Sequence, residues 1–484
     1  MIDHAPSPVR LEALVRTLDR VRLSLVGGEG ESIRRRTLRH ARDYLLPRLA
    51  DPTMTLVVAV VGPSGGGKST LVNSVARRRV SPEGVVRPAT RQPVAWCDGA
   101  VPGTLDAVRS RIPGRIVGSL RPPPEGIVVV DTPPPEITGA GERPIAADVL
   151  EVADVCVFVA GASRYADVEG FELLAPWAER GMPTVFVLNR LPESPELQQR
   201  LSDDFALKLS GAGLLDRADG ELIVPVAEGP VSPDSGGLPS EWVSGVAKEL
   251  QALADPQARP GIVNAGIASA LALVERGALT VRRMAVDNEA RRIGLLESVR
   301  HEYDTEARRL RERLQAGGLA GVGPTVEEMT SDLATVVTHR AGRAARRAAE
   351  RWAEDPGAGP IVHDAPGLFG HGPEILEAAR ERVEWWVGAL PDIVAEASGT
   401  RLGKRKARRI AEAVRRTVVD AAHEPRRRSR KFLARHDAVV PTARARLADE
   451  LGGVLASDAR RFEGPLGPPP PDELLTVLTP EGDR

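Results

Sequence analysis

Hydrophobic and polar positions divide the chain into stretches of different period. Between residues 9 and 46, Leu11, Leu14, Val15, Leu18, Val21 and Leu25, then Leu38, Ala41, Leu45 and Leu46, recur at helical spacing. Val26-Gly27-Gly28 interrupts them, which predicts two helices. Residues 55–226 change character, with short β-branched runs at 56–61, 93–96, 127–130, 155–160, 184–188 and 222–226 separated by turn and helix patterns. Such continuously apolar strands joined by crossover helices predict an α/β fold, a mainly parallel sheet with helices on both faces.

From about residue 247 the strands stop. Leu296, Val299, Tyr303, Ala307, Leu310 and Leu314 repeat at steps of three and four, as do Val326 to Trp352 and Leu376 to Ile393. These amphipathic helices are long enough to form an α-helical bundle or stalk. Pro391 and Pro441 are expected to kink or divide two of them. Four segments follow: N-terminal helices 1–50 packing with the bundle, an α/β domain 51–246, a bundle 247–463, and a Pro-rich linker with a loose tail 464–484.

Composition narrows the class without naming a function. The 484 residues are 42% hydrophobic and 27% charged, with net charge −1, so any charge argument must be local. The two cysteines, Cys97 and Cys156, exclude a disulfide framework, and Cys156 reads as a buried thiol. No apolar run near the N-terminus reads as a signal peptide. The apolar stretch 261–281 contains Asn264, Glu275 and Arg276, and is expected to be a helix packed in protein. The expected location is cytoplasmic, with any membrane contact peripheral and at the inner face.

The candidate chemistry begins after the first strand. Gly62-Pro63-Ser64-Gly65-Gly66-Gly67-Lys68-Ser69 is a P-loop, and the residues from Thr70 can open a helix. Glycines let backbone N–H groups face phosphates, and the helix N-terminus adds its positive end. Lys68 is expected at the β- and γ-phosphates and the Ser69 hydroxyl on Mg²⁺. Asp131, at the end of the run Ile127-Val128-Val129-Val130, is placed to hold the same ion directly or through water. Thr90, in Arg87-Pro88-Ala89-Thr90-Arg91, can close its hydroxyl onto Mg²⁺ when a γ-phosphate is present. Lys68 and Thr90 are the candidate catalytic residues. Asn189-Arg190 ends a further strand, where an Asn can contact a purine ring.

The order of these motifs, over residues 45–230, resembles a G domain of the Era/dynamin type, and most of all bacterial dynamin-like GTPases. Gly67-Lys68-Ser69-Thr70-Leu71-Val72-Asn73 is similar to their GKSTLxN start, and Arg87-Pro88-Ala89-Thr90-Arg91 to their first switch. The run 160–167 with Val187-Leu188-Asn189-Arg190 resembles actinobacterial members. The resemblance implies GTP and GDP as ligands, Mg²⁺ as cofactor, and GTP hydrolysis coupled to self-association or to a second dynamin-like GTPase. A binding module with little turnover and an Era-like ribosome-associated GTPase are the alternatives.

Three prolines depart from the pattern. Asp131-Thr132-Pro133-Pro134 replaces DxxG, and Pro134 has no N–H to offer a γ-phosphate. Pro135 stands where a water-orienting Gln is common, so slow hydrolysis is expected. Asn189-Arg190-Leu191-Pro192 lacks the Asp that grips guanine, and Glu193 is one position late. The run Leu209-Ser210-Gly211-Ala212-Gly213 resembles an ABC-ATPase signature, but it follows Asp131 where that family places it before.

Fourteen Lys and Arg lie between Arg401 and His436, against Glu412, Asp420 and Glu424. This region is the candidate contact for an anionic membrane surface. Only Phe432 is near enough to stack on bases, which favours lipid or protein over nucleic acid. Trp385-Trp386 is expected in the bundle core or interface, and His339, His363 and His371 at the surface or in turns.

Overall fold

The computed structural model describes residues 8–51, 53–82, 92–98, 115–118, 122–135, 144–165, 168–216, 220–317, 319, 321–420, 422–472 and 474, with 115–118 and 168–170 by backbone alone. The chain forms two compact units, one of residues 1–20, 32–281 and 472–484, the other of residues 21–31 and 282–471. The strand-containing unit is thus larger than residues 51–246 and takes in N-terminal helices and the start of a long helix.

Seven strands make its sheet: β1 Leu56–Val61, β2 Val94–Cys97, β3 Arg115–Gly118, β4 Ile127–Asp131, β5 Val155–Gly161, β6 Thr184–Leu191 and β7 Ile223–Ala227. Their order is β3-β2-β4-β1-β5-β6-β7. All neighbours are parallel except β2 and β4. The hydrophobic pattern located six of them and missed β3, a four-residue edge strand. Every residue of β1, β4 and β5 is buried, which is why these strands read as continuous apolar runs rather than as alternation. Side chains such as Val57, Val130, Phe158 and Leu188 pack with Val149 and Phe205. Here α1 is Pro8–Arg20, α2 Gly28–Arg39, α3 Leu46–Ala50, α4 Lys68–Ala76, α5 Ile145–Val152, α6 Val168–Ala178 and α7 Pro195–Gly211.

A π-helical turn, His40–Leu45, joins α2 to α3 and aims Tyr44 at the base of the sheet. Asp154, fully buried before β5, accepts from the Tyr44 hydroxyl at 2.9 Å, from Val57 N–H at 2.7 Å and from Arg48. Burial pushes the Asp154 carboxyl up, and the Arg48 guanidinium opposes it. The network anchors the start of β1, the strand that delivers the P-loop. The run 209–213 ends α7: Gly213 has φ +69, and Leu214 N–H returns to the Leu209 carbonyl at 2.9 Å. It is therefore a helix C-cap, which accounts for its glycines without an ABC signature.

After α8, Ser244–Leu253, the helix α9, Arg259–Gln315, runs from the first unit into the second. Among the described residues it is the one helix long and apolar enough to cross a membrane. Within 261–281 Val263, Ile267, Ala270, Val274, Ala278 and Val281 are buried at helical spacing, so one face packs in protein as expected.

The second unit is helical: α10 Val326–Glu354, α11 Gly359–Asp364, α12 Ile375–Ser398, α13 Lys404–Val419, α14 Arg427–Leu433 and α15 Val439–Ala459 pack with the end of α9. Thr325 and Glu328 form a reciprocal capping box at the start of α10. Neither proline divides a helix. Pro391 lies inside α12, and Pro441 lies in the first turn of α15, where its missing N–H had no intrahelical partner to lose. Of the tryptophan pair, Trp386 is buried and donates to the Ala443 carbonyl at 3.0 Å, whereas Trp385 is 53% exposed, a correction for that residue.

Candidate functional site

The site gathers at the carboxyl ends of adjacent parallel strands, the usual ligand crevice of such sheets. Register places it there. Val60 of β1 pairs with Asp131 of β4, Val61 with Phe158 of β5, and Gly161 of β5 with Asn189 of β6. The loop from Gly62 to Gly67 therefore lies between Asp131 on one side and Asn189 on the other.

The glycines are required by this crowding. Gly62 has φ +146, and a Cβ there would sit 2.1 Å from the Val159 carbonyl oxygen; at Gly66 the same oxygen would be 2.7 Å away. Gly67 has φ +92, and its Cβ would meet the Asn189 amide nitrogen at 2.1 Å. Gly67 is the N-cap of α4 and has no side chain to cap it, and a helix N-terminus of this kind is where an anion binds. Lys68, 6% exposed, folds back over the loop and donates to the Gly62 carbonyl at 2.8 Å and the Pro63 carbonyl at 3.1 Å. Gly66 N–H bonds to Pro63 O at 3.3 Å, while Ser64, Gly65, Ser69 and Thr70 are half-buried at the mouth.

Ser69 and Asp131 meet: the Ser69 hydroxyl donates to Asp131 Oδ2 at 2.6 Å. Asp131 is fully buried, and Oδ1 has no hydrogen-bond partner among the described residues. Burial raises its carboxyl above the usual range, while Ser69, Ser81 and the Lys68 charge pull it back. A buried carboxylate oxygen left without a donor, beside a hydroxyl and at the foot of a phosphate-type loop, fits a hard cation that takes oxygen ligands.

Asn189, the residue expected to contact a purine ring, lies against the P-loop. It is 3% exposed, and its amide donates to the Gly66 carbonyl at 2.9 Å while its oxygen accepts from Arg190 N–H at 2.9 Å. In this structure Asn189 braces the P-loop. Arg190 is exposed at φ +60, and Pro192 O accepts from Gln198. Pro134 is buried after Thr132, whose hydroxyl donates to Val60 O at 2.9 Å. Thr90 lies outside the described residues.

Two contributors were not singled out from the sequence for any role. Ser81 donates to Asp131 Oδ2, and Asn73, fully buried, holds the backbone of Val80 and Ser81. Asn73 carried a signal, as the last residue of the GKSTLxN-like run. Ser81 carried none, being one small polar residue in a short turn.

In the 401–436 region thirteen of the fourteen basic residues are exposed. The exception is Arg415, which is buried and bonds to Glu412 and to the Pro324 carbonyl. Phe432 is 9% exposed, with Lys406 over its ring at 5.7 Å.

No family model matches the sequence, and no curated protein does. Among solved structures the chain is similar to Aquifex aeolicus Era bound to GDP·AlF4⁻, at 22% identity over 36% of this chain and 52% of that one, TM-score 0.25. It thus spans about half the length of the Era structures it matches. It is also similar to a member of an oligomerised bacterial dynamin pair, at 9% identity over 99% of this chain and 94% of the other, TM-score 0.37. A third likeness is to LeoA, a bacterial dynamin GTPase from ETEC, at 12% identity over 97% and 96% of the two chains, TM-score 0.29.

Proposed function

We propose that this chain binds GTP with Mg²⁺, hydrolyses it slowly, and couples nucleotide state to self-association in the manner of a dynamin-like GTPase. One observation carries the nucleotide reading: a glycine loop between β1 and α4 brings Lys68, the N-terminus of α4 and the Ser69–Asp131 pair together. The loop and helix N–H groups bind the phosphates, and Lys68 exchanges its loop carbonyls for a phosphate oxygen. Ser69, Asp131 and, by the sequence resemblance, Thr90 are the residues that would hold Mg²⁺. When bound, the ion neutralises charge on the β- and γ-phosphates. Asn189 keeps the loop in its phosphate-binding shape.

Slow turnover is inferred from Pro134 and Pro135, neither of which has an N–H to offer a γ-phosphate. The same prolines favour the second reading, a nucleotide-dependent module with little turnover. Absence of GTP and ATP hydrolysis by the purified chain, with Mg²⁺ and anionic vesicles present, decides for that reading. Guanine is preferred on the run-by-run sequence resemblance, so affinities for GTP, GDP and ATP belong in one experiment. The basic 401–436 surface supports peripheral contact with an anionic membrane.

Lys68→Ala tests the site. Losing a hydrogen bond to a charged group costs about 1.5–3 kcal/mol, so triphosphate affinity falls roughly tenfold to hundredfold. Unchanged affinity in a titration with GTP sinks the assignment.

A further inference from the structure

Asp131 is gripped by two hydroxyls on one oxygen. Ser69 and Ser81 both donate to Oδ2, while Oδ1 has no hydrogen-bond partner among the described residues. Ser81, 1% exposed, comes from the turn that follows α4. That turn is fixed from beneath by Asn73. Its Oδ1 accepts from Val80 N–H and Ser81 N–H, each at 2.8 Å, and its Nδ2 donates to Ser81 O at 3.0 Å. Arg77, at φ +51, ends α4 and turns the chain back toward it. Ser81 is thus held by two backbone bonds to Asn73, beside a third at Val80, and its hydroxyl bonds to the carboxylate.

We propose that Ser81 is a positioning residue of the Mg²⁺ site, pinning Asp131 Oδ2 so that Oδ1 is the oxygen offered to the ion. The inference rests on the Mg²⁺-triphosphate reading of this site. A carboxylate turns about a broad, roughly two-fold terminal torsion, so one bond orients it poorly. The Ser69 oxygen serves the ion itself and cannot be the sole orienting partner. Ser81 is the second, and outer partners of this kind are worth about tenfold to hundredfold in metal affinity.

The experiment uses the full chain with Ser81→Ala, Ser81→Gly as a second hydroxyl-free variant, and Ser81→Thr, which keeps the hydroxyl. GTP binding is measured by calorimetric titration in EDTA and across a Mg²⁺ series. The expected result is unchanged affinity in EDTA for all four proteins. The Mg²⁺ concentration at half-maximal gain in affinity rises about tenfold to hundredfold for Ala and Gly, and stays near wild type for Thr. Mg²⁺ curves for Ala and Gly that overlay wild type overturn the inference. So does an equal loss in EDTA and in Mg²⁺, or a Thr variant no better than Ala, since either marks a merely structural serine. Wild-type protein that binds no GTP under either condition overturns the reading of the site itself.

Discussion

At the scale of single residues, steric constraint in the P-loop falls on the same atoms that the proposed phosphate chemistry uses. Gly67 is one such case, since its φ of +92 and the 2.1 Å from a Cβ there to the Asn189 amide both oppose a side chain. A left-handed conformation costs an L-residue roughly 1–2 kcal/mol before any collision is counted. Gly67→Ala is therefore expected to lose at least that much stability in urea titrations, and to lose GTP affinity because Asn189 must leave the Gly66 carbonyl. Retained affinity would show that the Asn189 brace is dispensable. Lys68, Ser69 and Asp131 were legible because their chemistry is written in contiguous runs next to a buried strand. Ser81 was not, because its role exists only once Asp131, 50 positions further along the chain, returns to it. Asn189 was placed correctly at a strand end, but its bond to the Gly66 carbonyl depends on register between β5 and β6, which no local pattern reveals.

Among elements, periodicity located the buried strands and long helices, and it failed where tertiary contacts override local preference. The edge strand β3 is too short to carry a period, and Pro391 stays within α12 because packing of Leu390, Ile393 and Val394 holds the helix through it. The pairing of α9 with α10 was equally hidden. Glu306 of α9, with a fully buried side chain, accepts from Arg309 at 2.7 Å, Arg340 at 3.1 Å and Arg343 at 3.0 Å. Arg340 is itself buried, so removing the carboxylate strands a cation. Breaking such a pair costs roughly 3–5 kcal/mol, the loss expected for Glu306→Gln in chemical denaturation. Burial raises the Glu306 carboxyl, but Arg343 and Arg309 outweigh it and hold it below its ordinary 4.5. Its folded value lies below its unfolded one, so its contribution is complete above about pH 4.5 and is lost as pH falls through the lowered value. The gap between wild type and Glu306→Gln should accordingly narrow on acidification. A gap that is constant from neutral pH to below pH 4 would refute the assignment.

For the molecule as a whole, a net charge of −1 hides a strong local asymmetry. The fold turns a composition into a surface between residues 401 and 436. Apolar positions Ala407, Ile410, Val414 and Val418 bury one face of α13, and thirteen of the fourteen basic residues of the region face solvent. Exposed charges separated by more than about 8 Å are largely screened at physiological salt, so this region acts at short range on a surface rather than by steering from afar. A polyanion with bases to stack is a poor match, because Phe432 is buried beneath Lys406. An anionic bilayer needs only charge, at about 1 kcal/mol for each basic residue near it. Replacing Arg426, Arg427 and Arg428 with Gln, all exposed and at the start of α14, thus removes roughly 3 kcal/mol. That corresponds to a partition about a hundredfold weaker onto phosphatidylserine vesicles in flotation, with GTP affinity unchanged because the P-loop lies in the other compact unit. The wild-type interaction should also weaken as salt is raised. Flotation indifferent both to the triple substitution and to salt would remove this surface as the lipid contact and leave the basic residues as a solvated face of the bundle.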